Sequence, residues 1–297
     1  MRKLKFLFIT LLSVIILTAS LVGCKSEKND VPRVKGLFYK VEKDGNYLYL
    51  GGSVHVGKEV KFVDSVEKAY KESIGLGVEV DIQSSKISET MNNESMYPEG
   101  DNLLNHITPE TKEKIENIIS ELGLKLDYKQ YKLWALQSVM TTAIANKAEL
   151  SVYNGIDYKF ITKANVDKKP IISLENTDIQ LKAINAGGDE YQVEVINNLP
   201  EIEEQQKALG KMYEAVINGD IPQIEKYTSI INSGSELSRE SYNYMAVERN
   251  KNMTSKIEGF ISENKKYFIV VGAGHIVGED GIIKALEDKG YAITRLE

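Results

Sequence analysis

Two parts of the chain repeat one pattern of apolar and polar positions, which predicts a strand, a glycine turn, a helix and a returning strand. In the first copy, the apolar run 47–50 predicts a strand. A turn from Gly51 to His55 follows, and the apolar spacing over 63–74 is that of a helix. The segment 76–82 then alternates apolar and acidic residues, which predicts the returning strand.

The second copy begins with the β-branched run 267–271, which is typical of a fully buried strand. Gly272 allows a sharp turn, and His275 follows it at the third position, just as a glycine precedes the histidine by three positions in the first copy. A helix over about 282–289 and a strand over 291–296 complete the unit. The chain has three histidines, and two of them therefore occupy matching places between a strand and a helix.

The pattern between the two copies is mostly helical. Helical insertions are expected over about 103–165 and 178–264, with a short buried strand over 169–175 between them. The polar stretch 83–100 has no periodicity and predicts a loop. At the start, 37–50 predicts a β-hairpin that leads into the first histidine turn.

Matching strand-rich segments at both ends of 37–297 would meet naturally in one sheet. The sequence therefore predicts a single α/β domain rather than two independent domains. We expect a central mixed β-sheet built from two strand–Gly-x-x-His–helix–strand units, flanked and capped by the inserted helices.

The N-terminal residues have the pattern of a bacterial lipoprotein signal. A basic start precedes the apolar run 6–19, and Leu21-Val-Gly-Cys24 resembles a lipobox. We expect residues 1–23 to be a signal peptide and 24–36 to be a lipidated Cys24 with a flexible tether. A single membrane-spanning helix is the alternative, because 6–23 approaches spanning length. The expected location is the outer face of a cytoplasmic membrane, with the lipid as anchor.

Composition and charge argue against several classes of function. The formal net charge of −6 argues against nucleic acid as a partner. Cys24 is the one cysteine, so neither a disulfide nor cysteine catalysis is expected. No Gly-x-Ser-x-Gly segment is present to indicate a serine hydrolase of that type.

The candidate chemistry lies where the predicted strands end. His55 and His275 should emerge at one edge of the sheet, where open α/β sheets bind ligands. Glu79 and Glu175 stand at or near the ends of two other predicted strands. Two imidazoles with one or two carboxylates could hold a divalent ion such as Mn, Co or Zn, which would activate water for hydrolysis. His106 has no such setting and is expected to be a surface residue.

The two Gly-x-x-His motifs resemble those of the TraB/PrgY/GumN family, to which the Tiki proteases are related. Other stretches add to the resemblance: Leu76-Gly-Val-Glu-Val-Asp81, Asn154-Gly-Ile-Asp157, Lys169-Pro-Ile-Ile-Ser-Leu-Glu175 and Glu248-Arg249-Asn250. The resemblance covers about 37–297. One departure is Gly51-Gly-Ser53, where the family usually has Leu-Gly-Thr.

The resemblance implies a divalent-metal-dependent peptidase that acts on peptides or unfolded protein segments through His55, Glu79 and His275. The more distantly related erythromycin esterases imply a metal-free alternative. In that version His55 is the general base, Glu79 orients it, and Arg249 stabilises the developing oxyanion.

A third interpretation is a protein that binds a peptide without cleaving it. Some members of the family resemble inhibitors of peptide pheromone signalling, and sequestration requires a pocket but no chemistry. The sequence leaves the substrate, the metal and the oligomeric state open.

Overall fold

The computed structural model describes residues 31–228 and 235–297, so the expected signal peptide and Cys24 lie outside the described part. Its strands are β1 (Arg33–Val34), β2 (Leu37–Lys43), β3 (Asn46–Ser53), β4 (Lys61–Phe62), β5 (Gly75–Val78), β6 (Ile171–Ser173), β7 (Tyr267–Gly272) and β8 (Ala292–Arg295). Strands β1 and β4 form a parallel pair, and the other six form one sheet.

Helices surround this sheet. They are α1 (Asp64–Glu72), α2 (Ser85–Glu94), α3 (Pro109–Leu122), α4 (Leu133–Lys147), α5 (Ile156–Asp167), α6 (Thr177–Ile184), α7 (Gly188–Asn197), α8 (Ile202–Asn218), α9 (Ile221–Thr228), α10 (Glu236–Tyr242), α11 (Glu248–Ser262), α12 (Ala273–Ile276) and α13 (Ile282–Asp288). The predicted fold class, a mixed α/β structure with a central mixed sheet flanked by helices, is confirmed. None of the helices in the described ranges has the length and apolar character needed to span a bilayer.

The six-stranded sheet has the order β6-β5-β7-β3-β2-β8. Strands β3 and β7, which precede the two histidine turns, are parallel neighbours. Strand β2 is antiparallel to both of its neighbours, while the other pairs are parallel. The prediction that the two units share a sheet and a direction is therefore confirmed, and their turns emerge at the same edge.

The predicted hairpin is formed by β2 and β3, which pair from Leu37–Gly52 to Lys43–Asn46. Asp44 and Gly45 connect the strands with φ of 53° and 82°. A type I′ hairpin turn requires positive φ at both central residues, and its twist matches that of the strands. An Asp-Gly pair adopts these angles at low cost.

The stretch 83–100 was predicted to be a loop, and this is wrong, because it contains helix α2. The apolar residues of this helix are Ile87 and Met91, four positions apart, and both pack against the rest of the protein. Met91 packs in a small cluster with Trp134. Such a narrow apolar stripe in an otherwise polar segment gives almost no periodic signal.

Two predicted strands are shorter than expected. Strand β5 ends at Val78 rather than at residue 82, because the chain turns at 81–84, where the Gln83 amide donates to the Asp81 carboxylate at 3.1 Å. Strand β6 spans three residues and is half-buried rather than buried, since it is the edge strand of the sheet. Glu79 therefore lies just beyond a strand end, which moves it toward the two histidine turns.

Helices α3 to α5 and α6 to α11 lie in the two stretches where helical insertions were expected, and the second series is interrupted at Gly187 and Gly219. Residues 229–234, within the second insertion, are not among the described residues. The tether was predicted to extend to residue 36, but Val34 is buried in the core and β1 pairs with β4. One apolar residue after a proline is too short a pattern to reveal such a strand.

The last long helix is not regular. Between α10 and α11, residues Asn243–Val247 form a π-helical segment. Wider π turns leave backbone carbonyls without their usual partners, and they are frequent near functional sites. In this protein the irregular segment lies immediately before Arg249.

Candidate functional site

The ends of β3 and β7 lie side by side, with Ser53 opposite Gly272 in the register. His55 follows two residues after the first strand, and His275 lies in the single turn α12 after the second. An ideal Cβ at position 272 would lie 3.2 Å from Oε1 of Glu79. A side chain at this position would make a tight contact, so the Glu79 carboxylate would have to shift by a few tenths of an ångström.

Helix α5 holds the turn that carries His55. The amide of Ile156, at the start of that helix, donates to the Val54 carbonyl at 3.0 Å. One residue further on, Asp157 is buried and its Oδ2 pairs with Nδ1 of His55. Its Oδ1 accepts the amide of Tyr158 at 2.9 Å, which fixes the carboxylate. The helix start thus orients the imidazole and leaves Nε2 as the free ring nitrogen.

This pairing sets the charge of His55. Burial disfavours the imidazolium, but the charge and hydrogen bond of Asp157 outweigh it and raise the pKa of His55 to about 9. The side chain is about one-fifth exposed, so it can reach a ligand. His55 is thus charged near neutral pH and is partly open to the solvent at this edge of the sheet.

Glu79 accepts hydrogen bonds on both oxygens. The Gly272 amide donates to Oε1 at 2.6 Å, and Gln180 Nε2 donates to Oε2 at 3.2 Å. Arg249 Nη2 also donates to Oε2. Burial alone would raise the pKa of Glu79, but the nearby His275 and Arg249 and the Gly272 amide hold it well below its usual value. Glu79 is therefore an ionised carboxylate at the strand edge.

Arg249 joins two carboxylates behind the site. Its Nε lies 2.9 Å from Oε1 of Glu175 and its Nη2 lies 2.8 Å from Oε2 of that residue, while Nη2 also reaches Glu79. Nη1 donates to the carbonyl of Met245 in the π-helical segment at 3.0 Å. Burial raises the pKa of Glu175, although Arg249 opposes this. The guanidinium is almost fully engaged by the protein, so it positions Glu79 rather than facing a ligand.

His275 is held by Asn250. The Asn250 Nδ2 donates to the Asp280 carbonyl at 2.7 Å, so its Oδ1 faces Nδ1 of His275 at 2.6 Å. Since an amide oxygen only accepts, Nδ1 carries the proton and Nε2 is the unprotonated nitrogen. Burial, followed by the Arg249 charge, lowers the pKa of His275 to about 4. The 3.8 Å approach of Nε2 to Glu79 Oε1 is therefore not an ion pair at neutral pH.

A pocket opens to the solvent at this edge of the sheet. It is lined by Ser53, His55, Val78, Glu79, Val80, Ile82, Asp157, Gln180, Val270 and Val271. The structure thus brings all five predicted site residues into one cluster but places them in two layers. His55 and Glu79 line the pocket, whereas His275, Arg249 and Glu175 lie behind it, each at most 5% exposed.

Four polar residues of the site were not predicted to have a role. Asp157 and Asn250 occur in stretches that carry the family resemblance, and this was the signal that could have found them. Gln180 donates to both Glu79 and Glu175 from the middle of a helix, where no sequence pattern distinguishes it. Ser53 is part of the first motif, but nothing in the sequence shows that its side chain is buried.

The donor types of the site fit a divalent first-row metal ion. Nδ1 of each histidine is held by Asp157 or Asn250, which leaves Nε2 for an ion, as is usual in metal-binding histidines. Over residues 31–228 and 235–297, however, no three His, Cys, Asp or Glu side chains are already gathered in a group that could hold an ion. His55, Glu79 and His275 are the residues that would hold one, whereas Glu175 is committed to Arg249.

His106 lies apart from this site. Its Nε2 and Nδ1 contact Asp101 and Asp189, each at 2.9 Å, and its ring stacks on Tyr97 with centroids 4.5 Å apart. The side chain is 29% exposed, so it is a half-buried residue of the helical region.

The fold and the site define an α/β protein with a histidine–aspartate pair in a pocket and a buried arginine–carboxylate cluster behind it. The chain belongs to the TraB/PrgY/gumN family, whose model matches residues 37–295. The predicted resemblance is thereby confirmed over almost the whole range that was expected.

Similar proteins include those named "Uncharacterized protein YbaP" from Escherichia coli K12 and Shigella flexneri. Each is 24% identical over 243 residues, which cover 81% of this chain and 88% of the relative. A "Metalloprotease TIKI homolog" from Amphimedon queenslandica is 40% identical over 50 residues, which cover 16% of this chain and 10% of that protein. No solved structure matches the chain significantly.

Proposed function

We propose that this protein is a hydrolase that cleaves peptides or unfolded protein segments. The observation that carries the proposal is the His55–Asp157 pair in the pocket, next to the ionised Glu79. A histidine whose second nitrogen is held by a buried carboxylate is a suitable group for moving a proton to and from a reacting oxygen or nitrogen. The family and the short match to a protein named as a metalloprotease support a hydrolase.

In the metal-free version of the proposed reaction, the neutral form of His55 accepts a proton on Nε2 from the attacking water and later gives it to the leaving amine. Asp157 keeps the ring oriented and stabilises its charged form. Glu79 accepts a hydrogen bond from the same water and holds it against the substrate carbonyl. The resemblance had assigned the orientation of His55 to Glu79, but Asp157 makes that contact instead.

Dependence on a divalent metal such as Mn, Co or Zn is part of the proposal. An ion held by His55, Glu79 and His275 would acidify a bound water and polarise the substrate carbonyl. The metal-free alternative is favoured by one observation: His275 does not line the pocket, so His55 and Glu79 face the ligand without it. The two versions use the same pocket and differ in what chelation should do.

We also propose that the protein is a lipoprotein, anchored at Cys24 to the outer face of a bacterial membrane. The basic start, the apolar run and the lipobox support this. Labelling of cells with a radioactive fatty acid should mark the wild type but not a Cys24→Ala variant. Equal labelling of the two would contradict the anchor.

Cleavage of a quenched-fluorescence peptide library by the chain without residues 1–24 tests the hydrolase. The protein is assayed after chelation and after addition of Mn, Co or Zn, and its metal content is measured by mass spectrometry. His55→Asn should abolish cleavage. His106→Asn is the matched control, because it removes a histidine outside the pocket and should leave cleavage unchanged.

The outcomes separate the candidate functions. Cleavage that chelation removes and one ion restores supports the metal-dependent version, and cleavage that survives chelation supports the metal-free version. Peptide binding without any turnover would favour the sequestering protein. Cleavage that persists in His55→Asn would show that another site is responsible.

A further inference from the structure

The last residue of β3, Ser53, lines the pocket and has a buried hydroxyl that makes no hydrogen bond within the described residues. Its side chain is buried, with 4% of the residue exposed. Within the described part of the chain, its Oγ has no hydrogen-bond partner. The same residue lines the pocket together with His55 and Glu79.

A buried hydroxyl without a partner is unfavourable by itself. Leaving such a group unsatisfied costs roughly 1–3 kcal/mol, and most buried polar atoms in proteins are bonded. The residues beside Ser53 in the pocket include Val78, Val270 and Val271, so an alanine would pack here without that cost. A ligand that enters the pocket and hydrogen-bonds to this hydroxyl would remove that cost.

The other polar side chains of the pocket indicate what kind of ligand group Ser53 could bind. Glu79 is ionised and only accepts hydrogen bonds. Gln180 already directs Nε2 to two carboxylates, and Asp157 is paired with His55. Among the described residues that line the pocket, Ser53 is thus the neutral side chain whose hydrogen-bond donor is not already used.

We propose that Ser53 Oγ donates a hydrogen bond to the carbonyl oxygen of the substrate and holds that carbonyl beside His55. This inference rests on the proposed function, since it assigns the carbonyl of a peptide to this pocket. A donor at this place stabilises the negative charge that develops on the oxygen during attack by water. Ser53 is not the nucleophile, because its Oγ makes no hydrogen bond to a base within the described residues.

Four variants test the role of the hydroxyl. Ser53→Ala and Ser53→Val remove it, whereas Ser53→Thr keeps it. Ser65→Ala is the matched control, because Ser65 in α1 also has a buried hydroxyl without a partner but does not line the pocket. The kinetic constants kcat and KM are measured on a cleaved peptide, and thermal unfolding is followed for each variant.

The loss of a donor to the developing oxyanion should lower kcat by about 10²–10³-fold in Ser53→Ala. Ser53→Val should behave in the same way, and Ser53→Thr should retain most of the activity. The melting temperature of Ser53→Ala should be equal to or above that of the wild type. A fall in melting temperature larger than that of Ser65→Ala, or unchanged kcat and KM, would overturn the inference.

A second measurement separates this inference from the proposed function. The chelated protein is titrated with N-acetylglycinamide, which offers peptide carbonyls, and the imidazole signal of His55 is followed by NMR. Binding should weaken by about 3- to 10-fold in Ser53→Ala, the effect of one hydrogen bond. Ser53-dependent binding in a protein that cleaves no peptide would sink the hydrolase and keep the inference. Peptide cleavage that is unchanged in Ser53→Ala would overturn the inference and keep the hydrolase. Binding that is unchanged in Ser53→Ala would overturn the inference alone, and the absence of both binding and cleavage would overturn both proposals.

Discussion

The backbone of Gly155 packs directly against the carbonyl group of His55. An ideal Cβ on Gly155 would lie 2.5 Å from the His55 oxygen and 2.9 Å from Oδ1 of Asp157. No side chain can occupy this space without moving the backbone. The contact joins two segments that are distant in sequence, and these segments carry His55 and its carboxylate partner Asp157.

Gly155→Ala should therefore disrupt the site. We expect it to lower the free energy of unfolding by about 1–3 kcal/mol through overpacking, and to reduce activity because the His55–Asp157 contact is displaced. Gly210→Ala is the control, since no atom lies within 4 Å of the added Cβ in helix α8. That substitution should stabilise the protein slightly in urea unfolding. Equal effects of the two substitutions would contradict the close packing.

Asp157→Asn should lower the pKa of His55. The pKa is about 9 when the carboxylate is present, so its removal should bring the pKa to the ordinary 6.5 or below. If His55 accepts a proton in the reaction, kcat/KM of the wild type should rise with pH up to about 9 in metal-free protein. In the variant this rise should occur at lower pH. NMR titration of the three histidines checks the assignment, and an unchanged His55 titration would exclude it.

Removal of Arg249 should leave two buried carboxylates without their cation. Arg249→Met should lower the free energy of unfolding by about 3–5 kcal/mol. Combining it with Glu175→Gln should cost less than the sum of the single changes, because the charge that Arg249 neutralises is then also absent. Arg33→Met is the control: its ion pair with Asp64 is exposed and should contribute at most about 1 kcal/mol. If the losses of unfolding free energy in the two single variants add up in the double variant, measured by urea unfolding, Arg249 and Glu175 do not interact as described.

The contacts of His106 should make stability depend on pH. Its hydrogen bond to Asp101 raises the pKa of His106 above 6.5, and the bonds from Asn105 and His106 lower the pKa of Asp101 below 3.8. The contribution of His106 is therefore complete below pH 6.5 and is lost as the pH rises through the higher folded value. That of Asp101 is complete above pH 3.8 and is lost as the pH falls through the lower one.

The other groups that face this ring are Asp189 and Tyr97. The melting temperature of His106→Gln should differ most from that of the wild type between pH 3.8 and 6.5. The difference should shrink at alkaline pH. A constant difference across this range would show that His106 acts by packing alone.

The sequence was most informative where two segments resembled each other. Strands β3 and β7 could be predicted as neighbours because both are apolar runs that lead into a glycine and a histidine. The positions of His55, His275 and Glu79 at one sheet edge followed from this.

The layering of the site could not be predicted. Whether Glu175 faces the pocket or Arg249 depends on the packing of α6 and α11, and residue type does not contain that information. Asp157 stands in the first turn of a helix, where acidic residues are common for reasons of helix electrostatics alone. Its partner is about a hundred residues away in the chain, so the pair becomes visible only after folding.

The sheet order also has a consequence for biosynthesis. Strand β7 lies between β5 and β3, so two strands made early need a neighbour that is made more than two hundred residues after β3. At about 5–20 residues per second, translation of the intervening segment takes roughly 10–45 seconds. During that time the ribosome-bound chain can form helices and the hairpin but not the sheet. The complete sheet, and with it the pocket, can therefore form only after Tyr267–Gly272 has left the ribosome.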